Sequence, residues 1–332
     1  MLKYARVTGW GKYLPENVVT NKDLEEKVNT SDSWIQTRTG IRERRIAAAD
    51  EVASGMAVKA AQNALRTAGL KPEQLDLVIV ATVTPEMIFP SCSSLVQNAI
   101  GAKNAAAFDL NSACTGFVSA LATASQFIGT GTYSKVLVIG SEVYSRILDW
   151  NDRGTCVLFG DGAGAVILEA GDCPPGFLSF TLGSDGSRPE LLYLPGICGR
   201  TDDLGNENHY LLMNGSEIYK VAVRTMTQAS KQALSDAGLT IDDVKLLIPH
   251  QANKRIINAV AKKLGLQSDR VFINVERYGN TSAASIPIAL CEAVEEGRLD
   301  ANDYLVLVGF GAGLSWGATV LQWGTGSLKS NK

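Results

Sequence analysis

Three side chains in this 332-residue chain have the types needed for covalent chemistry: the thiol of Cys114, the imidazole of His250 and the amide of Asn280. Cys114 lies in Asn111-SACTGF, a small-residue turn that runs into the helical pattern from Val118. A thiol at a helix N-terminus feels the positive end of the helix dipole, which is expected to lower its pKa and supply thiolate at neutral pH. The competing reading is a small buried hydrophobe, the usual fate of a free cysteine. His250 ends the apolar run Leu246-LIP and precedes a helix, so it caps a strand at the sheet edge where open α/β folds assemble sites. It reads equally as a structural hydrogen-bonding histidine. Asn280, in Tyr278-GNTSAASIP, has the alternative role of a turn or helix-cap residue.

A long internal repeat sets how these residues are positioned. Ala60 to Ala81 and Ala229 to His250 share one register 169 positions apart, and the same offset lays Lys135-VLVI on Tyr304-LVLV and Asn111 on Asn280. A period of this size describes two pseudo-symmetric halves rather than a solenoid. In each half a helix ends at a glycine, Gly69 or Gly238, and a short acidic connector leads to a buried apolar strand. The alternation predicts an α/β fold with one sheet per half. Gly164 and Gly317 pair at an offset of only 153, which puts extra residues near Tyr144 to Phe159 in the first half. The break at Cys173-PPG divides the chain into residues 1–172, which carry Cys114, and 173–332, which carry His250 and Asn280. A site at the seam follows. The Gly-, Asp- and Pro-rich stretch from Gly183 to Tyr210 is expected to be a surface loop near the substrate entrance.

Composition excludes several classes. A net charge of −3 gives no global field for nucleic acid or an anionic membrane. Six scattered cysteines without a C-x-x-C pair and only two histidines, His209 and His250, argue against a metal or dithiol site. The uncharged run from Tyr304 to Leu328 is long enough to span a bilayer, but its glycines break it into strand, turn and strand. The N-terminal residues reach Gly and Pro before any apolar run, so a cytoplasmic location is expected. The glycine-rich Gly160-DGAGA and Gly309-FGAG lack the full dinucleotide fingerprint.

The segments Asp109-LNSACTGF, Phe159-GDGAGA, Ile248-PHQAN, Arg277-YGNTSAASIP and Gly309-FGAGLSWG, in this order, resemble β-ketoacyl-acyl carrier protein synthase III. The resemblance runs from Tyr4 to about Gln322 and implies a thiolase-like αβαβα sandwich. It implies that Cys114 takes an acyl group from coenzyme A, with the amides of Cys114 and Ala312 as oxyanion hole. His250 and Asn280 would then steady the enolate formed as malonyl-acyl carrier protein loses carbon dioxide. No metal or redox cofactor is implied. Alanine at position 312, where many relatives carry glycine, would be strained if that position needed a positive φ.

The same resemblance assigns Trp34, Arg38 and Arg153 to coenzyme A, and Phe89 to an acyl-pocket wall contributed across a homodimer. Arg255, Lys262 and Lys263 on the helix after His250 would dock an acidic carrier protein. A solvated basic turn and a solubilising helix face are the bland readings of these two basic groups. Rival functions are acyl transfer to a small metabolite, a Cys114–His250 hydrolase, and a non-catalytic subunit.

Overall fold

The computed structural model describes residues 3–196 and 210–324. The apolar runs of the first half become β1 (Tyr4–Tyr13), β2 (Leu77–Ala81), β3 (Ala106–Leu110), β4 (Lys135–Glu142) and β5 (Gly162–Gly171). They form one sheet in the order β1-β5-β4-β2-β3, with β2 parallel to β3 and β4, and β5 antiparallel to β4 and β1. The second half repeats this arrangement with β6 (Gly176–Ser184), β7 (Val244–Pro249), β8 (Tyr304–Gly311) and β9 (Ser315–Gln322), in the order β7-β8-β9-β6. A single parallel bridge from Leu247 to Val271 stands where the first sheet has β3. The chain leaves the first sheet at Gly171 and enters the second at Gly176.

The helices that bear on the site are α1 (Asp32–Thr39), α2 (Ala53–Ala68), α3 (Cys92–Ile100), α4 (Gly116–Gly129), α5 (Gly215–Asp236), α6 (Lys254–Leu264) and α7 (Ser285–Glu295). Because side chains alternate along a strand, each sheet has two apolar faces. Ile79 and Val138 of the first sheet and Ile248 and Leu307 of the second join Leu121 of α4 and Leu290 of α7 in one middle core. Val78, Val80 and Ile139 face outward onto α2 and α3, whereas Leu247, Val306 and Val308 pack with α5 and α6. The result is five layers, α-β-α-β-α, with α4 and α7 enclosed between the sheets.

The repeat seen in the sequence is a repeat of structure. α4 and α7 begin at residues 116 and 285, and β4 and β8 at 135 and 304, both 169 apart. β5 and β9 begin at 162 and 315, 153 apart, because residues 143–161 connect β4 to β5 whereas residues 312–314 suffice between β8 and β9. Gly69 and Gly238 both take φ of +68° at the ends of their helices. Residues 304–322 of the uncharged stretch are the β8–β9 hairpin, and among the described residues no helix is long and apolar enough to cross a membrane.

The stretch expected to be an irregular loop holds more structure than its composition suggested. β6 continues to Ser184, and Leu192–Tyr193 pairs with Leu212–Met213 in a short antiparallel ladder. Leu191 and Leu211 are buried, so scattered apolar residues anchored a segment that lacked periodicity. Residues 197–209, which include Cys198 and His209, lie outside the described residues.

The two halves meet with very little room. A Cβ at Gly140 of β4 would collide with the carbonyl oxygen of Ala283, in the turn before α7. Gly140→Ala is therefore expected to lower stability by about 1–3 kcal/mol, measured as a fall in the denaturation midpoint. An unchanged midpoint would mean that the seam relaxes freely.

Candidate active site

Cys114 sits in the turn Ala113–Thr115 before α4, and Asn280 stands two residues ahead of the equivalent turn, Ser282–Ala284, before α7. Both turns hold a non-glycine residue in the left-handed region, Ala113 at φ 44° and Ser282 at φ 48°. Each costs about 1–2 kcal/mol, so the surrounding packing must hold the turns in place. Side chain to backbone bonds help: Ser282 N donates to Asn280 Oδ1 at 2.8 Å and Ala113 N donates to Asn111 Oδ1 at 3.4 Å. Gly311 lets the β8–β9 loop approach Cys114, since a Cβ there would stand 2.8 Å from Cys114 N. The strain foreseen at Ala312 is absent, for Ala312 is not among the positive-φ residues.

Cys114, His250 and Asn280 line one cavity of about 760 Å³ and are 5%, 3% and 7% exposed. His250 follows directly from β7, its amide donating to Val308 O at 2.8 Å. Its Nδ1 lies 2.6 Å from Ser285 Oγ, which also accepts from the Gln251 amide at 3.3 Å. When the hydroxyl donates to Nδ1, the imidazole proton stands on Nε2. Burial pushes the His250 pKa down to about 3, so the ring is neutral. Asn280 uses Oδ1 on Ser282, which leaves its NH2 as the free end. Two uncharged donors thus accompany one thiol.

The expected low pKa of Cys114 is corrected by the structure. Burial, and to a smaller degree the Glu142 carboxyl, raise the thiol to about 11, against smaller lowering contributions from Ser282 and Tyr144. Helix-end stabilisation is modest, while complete removal from water is the larger effect. At neutral pH the thiol is therefore protonated.

The mouth of the cavity carries the basic residues of the first half. Trp34 is half-buried in α1, held by Ser31 Oγ accepting from its amide at 3.2 Å. The guanidiniums of Arg38 and Arg153 lie 4.9 Å and 5.1 Å from its ring centre, within cation–π range. All three residues line the cavity. So does Arg255, which stands over Tyr219 at 5.5 Å. Lys262 and Lys263 are exposed on the last turn of α6, away from the cavity lining. Phe89 also stands outside it: with Met87 and Ile88 it forms an exposed apolar loop, Phe89 itself 84% exposed. Among the described residues no cluster of three His, Cys, Asp or Glu side chains is arranged to hold a metal ion.

Comparison with known proteins agrees with this architecture. Residues 108–186 match the family model described as 3-oxoacyl-[acyl-carrier-protein] synthase III, and residues 234–323 match its C-terminal counterpart. The chain is 52% identical to β-ketoacyl-[acyl-carrier-protein] synthase III of Desulfitobacterium hafniense, over 96% of this chain and 97% of that one. Identity to the protein of the same name from Roseiflexus castenholzii is also 52%, covering 98% and 100% of the two chains. The crystal structure of 3-oxoacyl-[acyl-carrier-protein] synthase III from Aquifex aeolicus superposes with a TM-score of 0.91 at 49% identity, covering 96% of this chain and all of that one. The chain belongs to the β-ketoacyl-acyl carrier protein synthase III family. The thiolase-like fold expected from the motifs is the fold observed.

Several residues that support the synthase site were given no role by the sequence. Gln251 is buried and bonds four ways, donating to Pro249 O and Phe272 O and accepting from the amides of Asn274 and Val275. It ties the end of β7, and so His250, to the segment that leads to Asn280. Glu292 of α7 accepts from Asn274 at 2.9 Å, Arg277 at 2.8 Å and Tyr278 at 2.5 Å, which anchors the same segment from the other side. Ser285 was visible in its motif, but its partnership with His250 required the turn geometry. Glu142, at the end of β4, is fully buried, and burial pushes its carboxyl up to about 7.

Two outcomes are expected. Ser285→Ala removes the bond that fixes the His250 tautomer, a loss of about 1.4 kcal/mol or tenfold in turnover; steady-state kinetics at unchanged melting temperature checks it. A carboxyl raised in the folded state contributes stability that is complete below its unfolded pKa of 4.5 and is lost as pH rises through about 7. Glu142→Gln should therefore gain melting temperature over wild type at pH 8.5 but not at pH 4.5, and an equal effect at both would contradict the raised value.

Proposed function

We propose that this synthase condenses an acyl-CoA primer, acetyl-CoA foremost, with malonyl-acyl carrier protein and so initiates fatty acid synthesis. Cys114 attacks the primer thioester, forming the Sγ–acyl bond as the bond to coenzyme A breaks. The Cys114 and Ala312 amides receive the developing oxyanion. Malonyl-carrier protein then loses carbon dioxide, and negative charge moves onto its thioester oxygen. The His250 Nε2–H and the Asn280 NH2 bond that oxygen more strongly as it becomes an enolate, which is the condition for lowering the barrier. The carbanion attacks the acyl carbon, Cys114 leaves as thiolate, and a 3-oxoacyl-carrier protein two carbons longer is released.

One observation carries this reading: a buried thiol shares its cavity with two uncharged hydrogen-bond donors. A hydrolase dyad would need His250 as base, and an imidazole pushed down to about 3 by burial is too weak. The binding roles follow with it. Trp34 stacks the adenine of coenzyme A, while Arg38 and Arg153 turn from its ring to the phosphates. Arg255, with Lys262 and Lys263 along α6, receives the acidic carrier protein. Phe89 reaches the acyl pocket of a second copy in a cytoplasmic homodimer. The first half, residues 1–172, supplies the nucleophile and the second, 173–332, the donors.

Intact-mass spectrometry separates the steps. Acetyl-CoA should add one acetyl group to wild type and none to Cys114→Ser. Malonyl-carrier protein should discharge the adduct with release of carbon dioxide, and Asn280→Ala should acylate yet fail to discharge it. Clearance by water or another acceptor alone would make the protein a hydrolase or a different acyltransferase.

A further inference from the structure

The pseudo-dyad exposes one asymmetry that the reaction as described does not use. By the 169-residue offset, Glu142 at the end of β4 is the counterpart of Gly311 at the end of β8. Gly311 makes room for the Cys114 turn. Glu142 faces the other turn, that of Ser282 and Ala283, with a full carboxyl. It is 0% exposed, and among the described residues it forms no ion pair. Its Oε2 accepts from Thr84 Oγ1 at 2.7 Å, the Val83 amide at 3.1 Å and Thr82 Oγ1 at 3.3 Å. Its Oε1 has no partner, and neither does the buried Ser282 Oγ.

Those two unsatisfied atoms belong to neighbours. Ser282 Oγ is close enough to influence the Cys114 thiol, the Glu142 carboxyl and the Tyr144 hydroxyl, without meeting full hydrogen-bond geometry with any of them. A buried polar atom left unpaired costs free energy and calls for an explanation. Here the two belong to packed neighbours, Glu142 at the end of β4 and Ser282 at the left-handed position of the turn that meets the Cys114 turn. The titratable groups that feel the Glu142 charge are Cys114, Tyr144 and Cys92, each held uncharged by burial.

We propose that Ser282 and Glu142 form a proton relay that takes the Cys114 proton during acylation and returns it after condensation. The proposal rests on Cys114 being the acyl carrier. In acylation the Sγ proton passes to Ser282 Oγ as the Ser282 proton passes to Glu142 Oε1. The resulting thiolate forms the acyl bond, and coenzyme A leaves as a thiolate that takes a proton from solvent. In condensation the C–C bond forms as the C–Sγ bond breaks, and the Glu142 proton travels back through Ser282 to Sγ. The one proton consumed overall matches the decarboxylation. The relay answers the difficulty left by a thiol at about 11: a carboxyl raised to about 7 is partly ionised near neutral pH and basic enough to accept the proton transiently.

Carboxamidomethylation of Cys114 by iodoacetamide, followed by peptide mass mapping across pH 5.5–9.5, tests this without coenzyme A or carrier protein. Wild type should show a rate that rises through about pH 7 to a plateau. Glu142→Gln and Ser282→Ala should each lose that rise and react at least tenfold more slowly at pH 8. The opposite sign is expected if Glu142 merely repels the thiolate: removing its charge would then speed alkylation, which overturns the relay. Survival of the pH 7 rise in Ser282→Ala, which keeps the carboxyl, also overturns it and decides alone if the glutamine variant does not fold. Failure here leaves the condensing reading intact, and failure of acetyl transfer in wild type would leave this result readable.

Discussion

The structure depends on the close meeting of two strained turns at the pseudo-dyad. Each turn ends in the N-terminus of a central helix, and each carries one left-handed residue, Ala113 or Ser282, that its own sequence would not choose. The halves hold each other in this state. Gly309 of β8 admits the Cys114–Thr115 turn, and Gly140 of β4 admits the Ala283–Ala284 turn, each from the opposite half. Each turn is thus packed against a strand of the opposite half, so the seam and the site are built by the same contacts. That arrangement aims both helix N-termini at a single point between the sheets.

Enclosure between two sheets then dictates the charge state of everything at that point. The middle core removes Cys114 and His250 from water, which raises the thiol and lowers the imidazole until both are neutral. A neutral site is poorly suited to acid–base hydrolysis, which needs an imidazole able to hold a proton. It suits a reaction in which charge appears only in passing, on an oxyanion and then on an enolate, because fixed donors in a dry cavity act most strongly on charge that develops there. Apart from the Glu142 carboxyl, charge is kept at the mouth, where Arg38, Arg153 and Arg255 meet solvent.

Much of this was legible in the sequence, for identifiable physical reasons. The 169-residue register survives because strands buried on both faces and helices packed between sheets tolerate few substitutions in pattern, so Leu77-VIVA and Leu246-LIP still match. Cys114, His250 and Asn280 stood out because strand ends and glycine-rich turns carry local signals. The thiol pKa was misjudged because dipole effects are local and readable, whereas burial is a property of the whole fold. Gln251, Glu292 and Ser285 act through partners about 15 to 35 residues away, as in Arg277–Glu292 and His250–Ser285, and no spacing rule pairs them. The ladder of Leu192–Tyr193 with Leu212–Met213 was hidden by a stretch whose composition reads as loop.

Duplication also explains why the chain has one site rather than two. The dyad that brings Cys114, His250, Asn280 and Gly311 together must generate a mirror set at the same offset, namely Ala283, Ala81, Asn111 and Glu142. The backbone role is kept in both sets, as Asn111 and Asn280 each accept from the amide two residues on. The chemistry is not. Ala283 and Ala81 are small, buried and inert, and they let the two helix turns pack to contact. A second thiol and imidazole there would have needed a second cavity, and with it space that the central helices fill. Glu142 is the one member of the mirror set that keeps a reactive group, and it occupies the place where the working half has only glycine. Divergence of the halves has therefore turned one set into an open site and the other into its packed support, with a single carboxyl left facing the boundary between them.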